Sequence, residues 1–122
     1  METNKNTNNA VDEFIGMCMM SVTYIHSAHF ATNSYAQHKA LGDFYTEMED
    51  LIDTFVEVNI GITGSYTPTL QTETTIEPVS YIKSIAEAGT NIYDTVDTSL
   101  QSIIDEIKVL CYQTIYKLTK LH

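Results

Sequence analysis

At 122 residues the chain has room for one hydrophobic core and not for two. Six lysines, no arginine and sixteen acids give a formal net charge of −10, which repels phosphate and excludes sequence-independent nucleic-acid binding. No apolar run is long enough for a membrane span, and residues 1–9 have neither the basic start nor the apolar centre of a signal peptide. The expected location is therefore cytoplasmic, or the host cytoplasm or virion if the source is a virus.

Residues 1–9 read as a disordered polar tail and residues 10–122 as a single helical domain. Val11, Phe14, Ile15, Cys18, Val22, Ile25 and His29 recur at spacings of three and four, which predicts a helix over 10–31. Asn9 is placed to cap it, with Asp12 and Glu13 at the positive end of its dipole. A turn over 32–34 offers Asn33 or Ser34 as the next cap. The second helix is predicted over 35–60, with Leu41, Phe44, Tyr45, Met48, Leu51, Ile52 and Phe55 as its core stripe and Gly61 and Gly64 ending it. So short a turn predicts an antiparallel hairpin.

Residues 61–78, rich in Thr, Gly and Pro, predict a long loop suited to meeting a partner or a second copy. Pro78 opens a short helix that Gly89 is expected to end near 88. The last helix is predicted over 91–121. Its seam, Val96, Leu100, Ile103, Ile107, Leu110, Thr114 and Leu118, is close to a heptad. Tyr93, Ile104, Cys111, Tyr112 and Ile115 widen that stripe beyond what two neighbours would cover, so a homo-oligomer, dimer or larger, is expected. Cys18 and Cys111 lie inside apolar patterns without CxxC spacing and read as buried free thiols. The fold class is all-α: three long helices and one short one.

The chemistry-bearing residues gather between positions 26 and 57. His26, His38, Asp53 and Glu57 offer two imidazoles and two carboxylates, a mixed set that suits iron, zinc or manganese better than calcium or magnesium. Asp53 and Glu57 are four apart on one helix, so both carboxylates lean over the same face. His29, Asp43 and Asp50 are weaker members of the set. Thr46, Asp50, Asp53 and Glu57 form one line without the lysines that normally offset it, and a bound cation or a basic protein partner would do so instead. The plain alternatives are capped or solvated helix-end histidines and a solvated acidic face. Nucleophile elbow, phosphate-binding glycine loop and HExxH patterns are all missing from the sequence, so hydrolase and nucleotide-binding chemistry have no support.

His38, Phe44, Tyr45, Thr46, Glu47, Asp50, Asp53 and Glu57 spell HxxxxxFYTExxDxxDxxxE, with His26 twelve residues ahead of His38. Over about residues 10–64 this resembles the first two helices of the Dps-like miniferritins. The resemblance implies a ferritin-like antiparallel bundle. It also implies that Asp53 and Glu57 bind iron (Fe2+/Fe3+) with His26 and His38 of a neighbouring subunit, in an inter-subunit ferroxidase centre. Gly42 stands where that family has an aspartate and Ser27 where it has a tryptophan, which leaves ferroxidase activity an open question. The rival expectation is a non-catalytic structural or interaction module that keeps the fold without a cofactor. The Thr-, Asn- and Tyr-rich composition suits an AT-rich genome and hence a viral accessory or virion-associated protein.

Overall fold

Ser34 begins the second helix: its backbone is extended and its hydroxyl accepts from the Gln37 amide at 3.2 Å, satisfying a donor the helix start leaves open. The computed structural model describes residues 2–69 and 77–121, with side chains from residue 9 onward. It contains α1 (Glu2–Ala31), α2 (Tyr35–Thr63), α3 (Pro78–Ile92) and α4 (Thr98–Lys120), with one 3-10 turn, Tyr93–Thr95, between the last two. Three long helices and one short one are what the periodicity predicts.

Several boundaries differ. α1 starts at Glu2, so helix runs through most of the stretch read as a polar tail. Asp12 consequently lies inside α1 rather than at its positive end. Gly61 and Gly89 do not stop their helices; of the described glycines only Gly64 has the positive φ (89°) that closes one, and it donates to the Ile60 carbonyl at 2.8 Å. Gly89 is instead buried, where a Cβ would stand 3.2 Å from Ile104 Cγ2 and 3.4 Å from Phe14. α4 starts at Thr98 because Asp97 caps it, accepting from the Ser99 amide at 2.9 Å and its hydroxyl at 2.7 Å. Those bonds hold the Asp97 carboxyl below its ordinary range.

The helices form a ring in which α1 packs on α2, α2 on α4, α4 on α3 and α3 on α1. Each neighbouring pair is antiparallel. Phe14 meets Phe55 edge-on at 5.4 Å while His29 meets His38 at the other end of α1 and α2. Tyr81 donates to the Met17 carbonyl at 2.9 Å while Gly89 lies against Phe14. α2 and α4 line shared clefts at Leu41 with Leu118 and at Leu51 with Val109. Directions are therefore up, down, down, up, and the chain between α2 and α3 must travel the length of the bundle. Ring closure also takes up most of the wide stripe on α4: Ile104, beside Gly89 of α3, and Cys111 are buried, and of the extra apolar residues only Tyr112 is fully outward. Phe14, Phe44, Phe55, Ile25, Ile85 and Ile107 are shut from solvent, each contributing roughly 1.5–3 kcal/mol.

The first part of the crossover is tied to α1. Thr69 donates its hydroxyl to the Asp12 carbonyl at 2.9 Å, and the buried Asp12 carboxylate accepts from the Thr67 amide at 3.4 Å. Gly16 makes the passage: a Cβ there would stand 2.8 Å from the Thr69 carbonyl oxygen. Gly16→Ala should therefore lower stability by about 1–3 kcal/mol despite alanine's better helix propensity, because backbone must move. Gly61→Ala, with nothing within 4 Å, should raise it by roughly 0.5–1 kcal/mol. Thermal melts of both variants check the pair, and a Gly16→Ala protein more stable than the parent would refute the close approach.

Candidate functional site

His26 and His38 of the sequence motif, and the weaker candidate His29, meet where α1 turns into α2. His29, in the last turn of α1, and His38, in the first turn of α2, stack at 3.6 Å between ring centroids. Each is tied to the other's backbone: His29 Nδ1 donates to the His38 carbonyl at 2.6 Å and His38 Nδ1 to the His29 carbonyl at 2.8 Å. A carbonyl only accepts, so both Nδ1 atoms carry protons and Nε2 is left as the nitrogen that can offer a lone pair. His26 stacks on Tyr45 at 4.1 Å and on Phe30 at 5.0 Å. Gly42 lies directly beneath: a Cβ there would stand 3.0 Å from His29 Cε1. The residue that departs from the miniferritin pattern thus has a packing reason, and His29 occupies the space an aspartate would need.

The carboxylates are elsewhere. Asp53 and Glu57 are exposed on α2, fifteen and nineteen residues past His38, which places them about 22 and 28 Å along the helix. One protomer therefore does not unite the four predicted ligands, and among the described residues no three His, Cys, Asp or Glu side chains converge as metal ligands. Asp43 is exposed beside Gly42. Asp53, with Glu49, edges a cleft of about 370 Å³ between α1 and α2 floored by Met19, Val22, Ile52 and Val56.

Asp50 belongs to a different cleft. Between α2 and α4 an open groove of about 470 Å³ is lined by Glu47, Asp50, Asp105 and Glu106 around Leu51, Val109 and Leu110. Beside it, Val109, Tyr112 and Tyr116 stand 55%, 55% and 59% exposed on α4. Sequence reasoning counted Tyr112 as a widening of the buried seam of α4 and missed Val109 and Tyr116 beside it. The signal was a second run, 109, 112 and 116, spaced by three and four on the opposite side. The cysteines offer no nucleophile: burial pushes the Cys111 thiol up to about 12 and Cys18 well above its ordinary range.

Gly42→Asp should cost about 1–3 kcal/mol by displacing the His29 ring, and most of that cost should vanish in a His29→Ala background. Urea unfolding of the two single variants and the double variant measures the coupling. Additive effects would show that Gly42 is not there to admit His29.

A family model matches residues 29–118, which covers the helical corner, α2, α3 and nearly all of α4. An uncharacterized 14.6 kDa protein in the mobD-ri intergenic region of Enterobacteria phage T4 is 38% identical over 111 residues, spanning 88% of this chain and 87% of that protein. No solved structure matches significantly. In the described residues no helix is long and apolar enough to cross a membrane. The chain belongs to DUF5856, a family of unknown function.

Proposed function

We propose that the protein acts by recognition rather than by catalysis, as a viral helical interaction module whose working surface is the outer face of α2 and α4. One observation carries this reading: four carboxylates, Glu47, Asp50, Asp105 and Glu106, surround an apolar floor in an open groove. Acids held around apolar surface favour a helix that carries lysines or arginines beside leucine-like side chains. The buried thiols fit the same reading, as does the likeness to a phage protein. A fluorescent Leu/Lys amphipathic peptide should bind the monomeric protein with an affinity that weakens as salt rises. The pair Glu47→Lys and Asp50→Lys should abolish binding. Salt-indifferent binding, or binding unchanged in the charge-reversed protein, would overturn the reading.

A second reading, a ferritin-like protein binding metal between copies, is supported by the topology. Up, down, down, up with one long crossover is the arrangement of ferritin-like bundles. The backbone-tied His29 and His38 also present Nε2 as metal ligands often do. In this reading Asp53 and Glu57 of one copy meet His26 and His38 of another and hold iron, zinc or manganese. Elemental analysis after incubation with ferrous iron should then find stoichiometric metal that is lost in Asp53→Ala with Glu57→Ala. No retained metal and no rise in melting temperature on adding iron would remove it.

A further inference from the structure

The groove and the stripe beside it ask for a partner with basic groups flanking apolar ones, and α4 itself has that composition. Asp105, Val109, Tyr112, Tyr116 and Lys120 follow one another at spacings of four, three, four and four, which keeps them within about 80° of arc on the helix. All five are exposed. The face is acidic at its start, apolar in the middle and basic at its end. Three of the chain's six lysines, Lys108, Lys117 and Lys120, lie on this one helix. Such a face complements its own reverse. We infer that a second copy of this chain docks here, α4 against α4, antiparallel about a two-fold axis between Tyr112 and Gln113.

In that register Val109 lies against Tyr116 of the other copy, Tyr112 lies beside the axis, and Asp105 meets Lys120. Every contact occurs twice, as an isologous interface requires. The net charge of −10 on each copy opposes association. Long-range repulsion is screened within about 8 Å at physiological salt, whereas charges in contact across an apolar stripe are screened less. The inference rests on the reading that this outer face is a recognition surface, and names its occupant.

Sedimentation equilibrium of the full chain at physiological salt should show a reversible dimer. Asp105→Lys alone and Lys120→Glu alone should each shift it to monomer, because each sets like charges against one another, and Tyr112→Glu should do the same. The combined Asp105→Lys, Lys120→Glu protein should dimerise again, with circular dichroism confirming unchanged helix content in every variant. A parent that stays monomeric at all concentrations overturns the inference, and so does a dimer indifferent to all of these changes. A monomer that still binds the Leu/Lys peptide sinks the dimer and leaves the recognition reading standing; a charge-swappable dimer that ignores the peptide does the reverse.

Discussion

The reciprocal hydrogen bonds between His29 and His38 fix how the two longest helices meet, and the other two helices pack on the hairpin so formed. Each ring bonds the other residue's carbonyl at the point where α1 is ending and α2 beginning. The two rings also lie face to face, so two imidazoles and two carbonyls at the corner satisfy one another. Register follows from this. With the corner set, Phe14 falls opposite Phe55, and the apolar faces of both helices turn toward the same interior. Any side chain at 42 would press on the His29 ring, with a Cβ 3.0 Å from its Cε1, so one small residue lets the ring lie close against α2.

A second constraint comes from direction. Because α1 and α4 run one way and α2 and α3 the other, the chain must climb the bundle between Gly64 and Pro78. Ordered backbone crossing a helix needs partners for its own polar groups and a place to pass. Asp12 supplies the first, in its carboxylate and its carbonyl, and Gly16 supplies the second. An acid and a glycine inside α1 thus share one task, to hold the start of the connection, at Thr67 and Thr69, against α1.

Helix content was legible in the sequence because the stripes of Phe14 to Ile25, Leu41 to Phe55 and Leu100 to Leu118 repeat with helical period, and these stripes are buried. The cap of α2 was legible to within one residue, Asn33 or Ser34, and Ser34 is the one that accepts from the Gln37 amide. What was not legible depended on contacts between distant residues. Gly89 reads locally as a helix stop, yet it is the place where α3 comes close to Ile104 and Phe14. Asp12 reads as a first-turn acid only if α1 begins at Ala10. Gly42 reads as a missing ligand until His29 is seen to need its space. The motif around His38 to Glu57 carries real structural information, since Phe44, Met48, Ile52 and Phe55 line the core from that stretch. Of the positions that match the pattern, Phe44 alone is buried, while Thr46, Glu47, Asp50, Asp53 and Glu57 are exposed, so core packing accounts for the frame of the motif and not for its acids.

The acids of α2 are divided by the curvature of the helix surface. Glu47 and Asp50 turn toward α4, whereas Glu49 and Asp53 turn toward α1. Recognition through α4 and metal binding through the α1–α2 hairpin therefore use different sides of the same helix. Neither requires the other's residues, and a protein that docks a partner on one side keeps the opposite side free. The acid density of α2 is in itself neutral between the two readings. What separates them is the floor beneath the acids and the chemistry that surrounds them. On the α4 side the carboxylates ring an open apolar groove next to exposed tyrosines, an environment in which a peptide helix buries area and gains ion pairs together. On the α1 side the nearest imidazole is His26, stacked on Tyr45, and Tyr45 is eight residues or about 12 Å along α2 from Asp53, so a cation held by Asp53, Glu57 and imidazole depends on how a second copy is placed.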